Sequence, residues 1–323
     1  MSSSNAVTAQ KQRFSVAITT DAYKKLINNT LQDPGRAQRF VASITSAVAV
    51  NPALQECTPP TIIAGALLGE SLNLSPSPQL GQYYLVPFDC KMRDRNGNIV
   101  YQVDQNGQAL KNENGYKIAV TEKRAQFVLG YKGYIQLAIR SGQYSDIDVM
   151  DIREGEYLGK DSQTGKPRFQ FIEDDDIREK LPVVGYMGYF EYLNGFRKVV
   201  YWSKEKMMAH ADKYSAAFSA EAYKRIQAGK VADQDMWKYS SFWYKNFDDM
   251  AKKTLLRQLI SRWGIMSIEM QRGYVGDSNF IQVENGEFVN VPEEQVVGQQ
   301  PVPAEEEPPA PSAPAEAVNL ADL

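Results

Sequence analysis

The sequence predicts an α+β fold: a single core domain with a mixed or antiparallel β-sheet and hairpins packed by helices, followed by a disordered acidic tail. Three observations lead there. Short strand-like runs are interspersed with stretches whose apolar residues recur at helical spacing. No linker interrupts residues 13–276. Beyond Gly276 the composition changes to Glu, Pro, Ala and Gln, with too little apolar content to fold. The expected organisation is a flexible segment at 1–29, a core at 30–276 with a β-hairpin insertion at 92–117, and a disordered tail at 277–323.

The elements follow in order. Residues 1–12 are small and polar. Asp33-Pro34-Gly35 signals a turn and a helix start, leading into Arg36–Val50, where Phe40, Ile44, Ala47 and Val48 recur at helical spacing. Thr58-Pro59-Pro60 opens a second helix, Thr61–Asn73, with Ile62, Ile63, Ala66, Leu67 and Leu68 as its buried side. The Ser75–Pro78 run ends it, because proline lacks a backbone donor and restrains the residue before it. Gln82–Phe88 reads as a strand. Three similar turns follow, DRNGN at Asp94–Asn98, DQNGQ at Asp104–Gln108 and NENGY at Asn112–Tyr116. Asn-Gly is a strong hairpin signal, so the insertion reads as a β-hairpin excursion. A calcium loop does not fit: the glycine falls at the fourth position rather than the sixth, and no bidentate Glu follows at the right distance.

Arg124–Gly130 is another strand and Tyr131–Ser141 a helix. Ile147–Arg153, Arg168–Ile172, Val183–Tyr192 and Phe196–Trp202 read as strands, the last two joined across Leu193-Asn194-Gly195. Ser203 caps a helix at Lys204–Lys213. Residues 215–235 have weak periodicity, and Met236–Ile265 is one long helix or two.

Composition narrows the function. The net charge of −3 hides an uneven distribution: ten acidic and no basic residues lie in 277–323, which leaves 36 basic against 29 acidic over 1–276. A modestly basic body suits a polyanion partner. No apolar run approaches the roughly 20 residues that span a bilayer, and MSSSNAVTAQKQR lacks an apolar signal region. Two cysteines, Cys57 and Cys90, fit a reducing cytosol. With the single histidine His210 they fall short of the four ligands of structural zinc.

Two segments combine basic and aromatic residues. In Gly130–Gly142, Lys132, Gln136 and Arg140 share one helical face, while Ile135, Ala138 and Ile139 lie on a side that can pack. Gly130 and Gly133 leave room for a phosphate backbone, and Tyr131 and Tyr134 bracket Lys132. Single-strand binding needs that combination, cations for phosphates and flat rings for bases of any sequence. An ordinary amphipathic helix explains the same spacing. In Trp237–Gly264, Trp243, Phe247, Ala251, Leu255, Leu259 and Trp263 recur every four residues as a core stripe. Lys238, Lys245, Lys252, Lys253 and Arg257 fall outside it, and they line a groove or a plain solvated face. Lys204, Lys206, Lys213 and Tyr214 offer further phosphate contacts.

Other chemistries find little purchase. Gly159–Pro167 resembles a phosphate-binding loop, but its spacer is five residues long and proline stands where Ser or Thr is needed. Asp146, Asp148 and the Glu173–Asp176 run leave a metal-dependent nuclease as the rival reading, although the run also suits a helix N-terminus.

Taken together, the segments resemble the RecT family of phage and prophage recombinases. Gly81–Phe88 (GQYYLVPF) is similar to the family's G-Q-x-Y-L-x-P-[YF] strand. Gln126–Gly142, with G-Y-K-G and R-S-G intact, resembles its most recognisable block. The hairpin from Val183 to Trp202, followed by Ser203–Met207, resembles its strand and S-[KR]-E-[EK]-[IM] helix start, with Gly188-Tyr189-Phe190 departing in part from the usual small residues. Phe247–Ile260 resembles its M-A-x-K-T helix. The resemblance covers roughly residues 30–270; the insertion and the long tail depart from short members.

The resemblance implies an ATP-independent protein, not an enzyme, that binds single-stranded DNA and anneals complementary strands. It implies a ring or helical filament of identical subunits, with the annealed duplex in a basic groove. It further implies a bacterial cytoplasmic setting and, as partners, a 5′→3′ exonuclease and the host single-strand-binding protein. No cofactor is expected, with Mg2+ at most modulating DNA binding. Carried across by position, Lys132, Arg140, Lys252, Lys253 and Arg257 are the phosphate contacts, Tyr131 and Tyr134 the stacking groups, and Gln82 and Gln126 polar contacts. Lys245 and Lys213 complete the set from the charge pattern. A plain single-strand-binding protein without annealing activity is a third reading.

Overall fold

The computed structural model describes residues 14–94, 97–215, 217–277, 280–284 and 287–291, the last two as backbone only. Residues 1–12, expected to be flexible, and the stretch 292–323 of the expected tail lie outside the described residues.

The chain opens with α1 (Phe14–Ala17) and α2 (Asp21–Leu31), which overturns the flexible segment expected to reach residue 29. Phe14, Ala17, Ile18 and Ile27 are buried, and tertiary burial stabilises short helices that propensity alone does not. In α3 (Pro34–Val50) the Asp33 carboxylate accepts from Arg36 N at 2.7 Å. Next comes α4 (Pro59–Ser71), buried on all sides rather than one, as its unbroken apolar run requires. It lies against an antiparallel pair, β1 (Tyr83–Lys91) and β2 (Thr121–Leu129), in register from Tyr83↔Leu129 to Lys91↔Thr121. Ala125 N donates to Thr61 Oγ1 at 2.9 Å and ties helix to strand.

Between β1 and β2 the insertion is not the single hairpin expected. Three turns, each closed by a glycine at positive φ (Gly97, Gly107, Gly115), fold the chain back three times. The backbone bonds then close in rings: Met92 N to Val120 O, Val120 N to Val100 O and Val100 N to Met92 O form one. Gln102, Ile118 and Leu110 form the other. In each turn the first residue, Asp94, Asp104 or Asn112, accepts backbone N–H groups on its side chain. Three copies of one turn motif thus build a three-sided module, because each reversal supplies one side.

A three-stranded antiparallel sheet, order β3-β6-β7, forms the second layer: β3 (Tyr144–Arg153), β6 (Val183–Tyr192) and β7 (Arg197–Ser203). It is reached through α5 (Tyr131–Arg140). The pair β4 (Tyr157–Lys160) and β5 (Pro167–Phe169) and the short α6 (Asp175–Arg178) fill the connection from β3 to β6. After β7 come α7 (Lys204–Tyr214), α8 (Ala220–Gln227), α9 (Phe242–Lys245), α10 (Phe247–Trp263) and α11 (Ile268–Gly276). The Met236–Ile265 stretch is therefore broken at Asn246. One face of the sheet packs on α10, where a side chain at Gly188 would meet Leu255 and Leu259.

Five of the six stripe residues are buried as expected. Trp263 is 37% exposed, because it lies in the last turn of α10, and Lys198 Nζ sits 4.2 Å from its ring centroid. In α5 the packed side is Tyr134, Leu137 and Ala138; Ile139, expected to pack, is 55% exposed. The tail boundary at 276 also moves. The pair β8 (Phe280–Glu284) and β9 (Glu287–Val291) follows α11, and alternating apolar residues at 280–291 had been averaged into the acidic composition of the tail.

Candidate nucleic-acid interface

The site begins where β2 turns into α5. Gly130 N donates to Gln82 O at 2.9 Å. A Cβ at Gly130 would overlap the Gly81 carbonyl oxygen, and one at Gly133 that of Gln82. These glycines therefore serve backbone packing, and the room expected for a phosphate is already filled by protein. The close approach fixes the N-terminus of α5 beside the start of β1. The Gln82 side chain is engaged too, accepting from Ser75 N at 2.7 Å.

This contact gathers an aromatic and cationic patch. Lys132 and Lys252 each place Nζ 5.9 Å from the Tyr131 ring centroid. The Tyr84 ring lies 5.8 Å from that of Phe242, which is 37% exposed. Tyr84 and the Lys132 stem meet at Gly81. Burial, and secondarily the charge of Asp249, pushes the Tyr84 and Tyr131 phenols up, so both remain neutral hydrogen-bond donors. Lys132 is exposed, and among the described residues no carboxylate pairs with it. Lys252 is partly engaged, 3.4 Å from Asp151 Oδ1. The N-terminus of α5 has no side-chain cap, which adds a partial positive charge beside Lys132. Tyr84 and Phe242 were missed by sequence reasoning. The alternation of the Gln82–Phe88 strand offered a signal for the first, since Tyr83 and Tyr84 must face opposite ways; nothing comparable marked Phe242.

Three expected contacts lie elsewhere, around Asp277. Its side chain is fully buried and accepts from Lys253 Nζ, Arg257 Nη1 (both 2.7 Å), Leu129 N (2.8 Å) and Tyr134 Oη (3.2 Å). Burial by itself would lower the Arg257 pKa; the Tyr134 and Asp277 oxygens outweigh it, raise the pKa and keep the guanidinium charged. Tyr134 is fully buried and is no stacking platform. Gln126, also expected in the interface, is buried in β2. Asp277, assigned by composition to the tail, is the carboxylate that these groups require.

Arg140 donates to the carbonyls of Leu72 and Asn73 at 2.9 and 3.2 Å, satisfying the C-terminal end of α4. Lys245 is exposed on α9 and Lys213 on α7. Of the expected set, the structure brings together Tyr131, Lys132 and Lys252 near Gln82. It places Lys253, Arg257 and Tyr134 around a buried acid, and leaves Arg140, Lys213 and Lys245 on separate elements.

Of the acids of the rival reading, Asp174 caps α6 by accepting from Ile177 N, and Asp148 accepts from Val149 N. Among the described residues no group of three or more metal-ligating side chains forms. No helix among them is long and apolar enough to cross a membrane.

The profile of the RecT family matches residues 38–291. The chain belongs to the RecT family. The matched span includes both the Tyr131 patch and Asp277, and it ends with β9. Two proteins are similar to the chain over most of its length. An uncharacterized protein, YqaK of Bacillus subtilis (strain 168), is 35% identical over 242 residues, 74% of this chain and 64% of YqaK. Protein RecT of Escherichia coli (strain K12) is 26% identical over 242 residues, 73% of this chain and 69% of that protein. The chain thus spans about two thirds of the length of these two proteins.

Proposed function

We propose that this RecT-family chain binds single-stranded DNA and anneals it to a complement without ATP. The observation that carries the reading is the patch of Tyr131, Tyr84 and Phe242 interleaved with Lys132 and Lys252, in a chain of this family. Half-exposed rings beside cations suit a strand of any sequence, because every base has a face to stack and every phosphate a charge to neutralise. Annealing needs no covalent chemistry: two polyanions repel, neutralisation lowers that barrier, and base pairing supplies the downhill step. Lys132 contacts phosphate, Tyr131 and Tyr84 stack on bases, and Lys252 exchanges Asp151 for phosphate. Lys245 extends the basic surface from α9. Repetition of the patch in a ring or helical filament lengthens the contact, through head-to-tail interfaces. A 5′→3′ exonuclease that exposes single strands and the host single-strand-binding protein are the partners that the family resemblance implies, in the bacterial cytoplasm.

The test mixes labelled complementary strands with the protein and no ATP, once with EDTA and once with magnesium. Faster duplex formation with intact strands in both arms is the expected result; a difference in rate alone marks magnesium as a modulator. Magnesium-dependent shortening of either strand overturns the reading in favour of a nuclease, and binding without acceleration reduces it to a plain single-strand-binding protein.

A further inference from the structure

A second cation and ring array lies on different elements, β7 and α7. Lys206, His210 and Tyr214 are spaced four residues apart and share one face of α7. Lys213 falls beside them by its seven-residue spacing from Lys206. Trp202, at the end of β7, joins the row: Lys206 Nζ lies 4.5 Å from its ring centroid, and the His210 ring 5.1 Å away, edge-on. His210 then meets Tyr214 at 4.6 Å, and Lys213 Nζ stands 5.0 Å from the Tyr214 ring. The Ser203 side chain accepts from Lys206 N and fixes the start of the helix. Trp202, His210 and Tyr214 are half-buried, and Trp202 packs against the core, while Lys206 and Lys213 are exposed. The acids of α7, Glu205 and Asp212, fall off this face.

We propose that this row is a second single-strand DNA site, the one that receives the incoming complementary strand. The proposal rests on the annealing reading and deepens it. A protein that only stores one strand needs one such surface; one that brings two polyanions together gains by neutralising both. From Lys206 to Tyr214 the helix rises ~12 Å, roughly three base steps at 3.4 Å each. Rings select no sequence, as an incoming strand of any sequence requires, and each lysine moves to a phosphate when a base takes the ring face it covers.

The test uses the full chain carrying Lys206→Glu with Lys213→Glu, alongside Lys206→Arg with Lys213→Arg and, as a control on the first site, Lys132→Glu. First-strand affinity is read by anisotropy of a labelled oligonucleotide. Annealing is read by energy transfer after a labelled complement is added to preloaded protein. The double Glu variant is expected to slow annealing by ~5-fold or more and to flatten its salt dependence, with first-strand Kd changed less than about twofold. The double Arg variant should anneal like the parent, and Lys132→Glu should weaken first-strand binding. Annealing slowed by less than that margin overturns the second site, as does an equal loss of first-strand affinity, which would make the two surfaces one. An unmutated chain that fails to anneal overturns the annealing reading and this proposal with it; one that anneals and is matched by the double Glu variant overturns this proposal alone.

Discussion

Arg257 Nη1 stands 2.7 Å from Asp277 Oδ2, a carboxylate with no exposed side-chain surface, and this pair joins the middle of α10 to the end of α11. Lys253, Tyr134 and Leu129 N complete the shell, so one acid ties α10, α5 and β2 together one residue before the turn that carries Tyr131 and Lys132. Removing one partner of such a pair leaves the other buried and uncompensated. Asp277→Ala should cost about 3–5 kcal/mol of stability. Arg257→Ala should cost less, its guanidinium being partly exposed, and the double variant should cost less than the sum of the two. Urea unfolding of the four proteins measures this; strict additivity would show that the two residues do not act on each other.

The same geometry separates the lysines by their response to salt. Lys132→Ala should reduce the slope of log affinity against log salt by about 0.7, the value for one single-strand phosphate contact. Lys253→Ala, whose ammonium is spent on Asp277, should weaken binding through displacement of α5 and leave the slope unchanged. Slopes measured by anisotropy across a salt series decide between them, and a flattened slope for Lys253→Ala would put that residue on the DNA.

Much of the fold was legible because its signals are local. Asp33-Pro34 marked the start of α3, Ser203 the start of α7, and the four-residue recurrence from Phe247 to Leu259 the buried side of α10. The charges were less legible, because spacing places Lys253 and Arg257 on one helical face but does not say what faces them. The answer is an acid 20 residues beyond Arg257, hidden in a stretch whose composition reads as tail. Gly130 and Gly133 misled for the same reason: a glycine announces a close approach, not whether DNA or the Gln82 backbone makes it.

Gly133→Ala tests that last point. The added methyl would overlap the Gln82 carbonyl oxygen, so strand and helix must separate, at a cost of about 1–3 kcal/mol. Thermal unfolding should show the loss. An alanine variant as stable as the parent, with DNA binding alone reduced, would return this glycine to the interface.

Glu156 gives the fold a pH dependence. Burial alone would raise its pKa; hydrogen bonds from the Arg178 side chain and from the N–H groups of Arg153 and Ile172 outweigh this and hold it below the usual carboxylate range. A depressed folded-state pKa contributes stability that is fully present above the unfolded value, near 4.3, and is lost as pH falls through the folded one. Glu156→Gln should therefore be less stable than the parent at pH 7, by about 3 kcal/mol, and the gap should narrow on acidification below about pH 4. Urea midpoints at both pH values test it, and a constant gap would remove Glu156 from the acid response.

The three-turn module should be separable from the core. Its first and last residues are adjacent, with Met92 N donating to Val120 O at 2.8 Å directly beyond the Lys91↔Thr121 end of the β1–β2 pair. Its ring of backbone bonds is closed within itself. Replacing 93–119 with an Asn-Gly turn should extend β1 and β2 into an ordinary two-residue hairpin. Shortening the connection also lowers its closure cost, by about 2 kcal/mol on the logarithmic dependence on loop length, so the unfolding free energy of the core should not fall. Two measurements then separate a role on DNA from a role between subunits. An intact unfolding transition with faster DNA dissociation would assign the module to strand retention, and an intact transition with a smaller assembly in sedimentation would assign it to contacts between subunits. Loss of the transition itself would show that the module holds the β1–β2 pair together, against the closure of its hydrogen bonds.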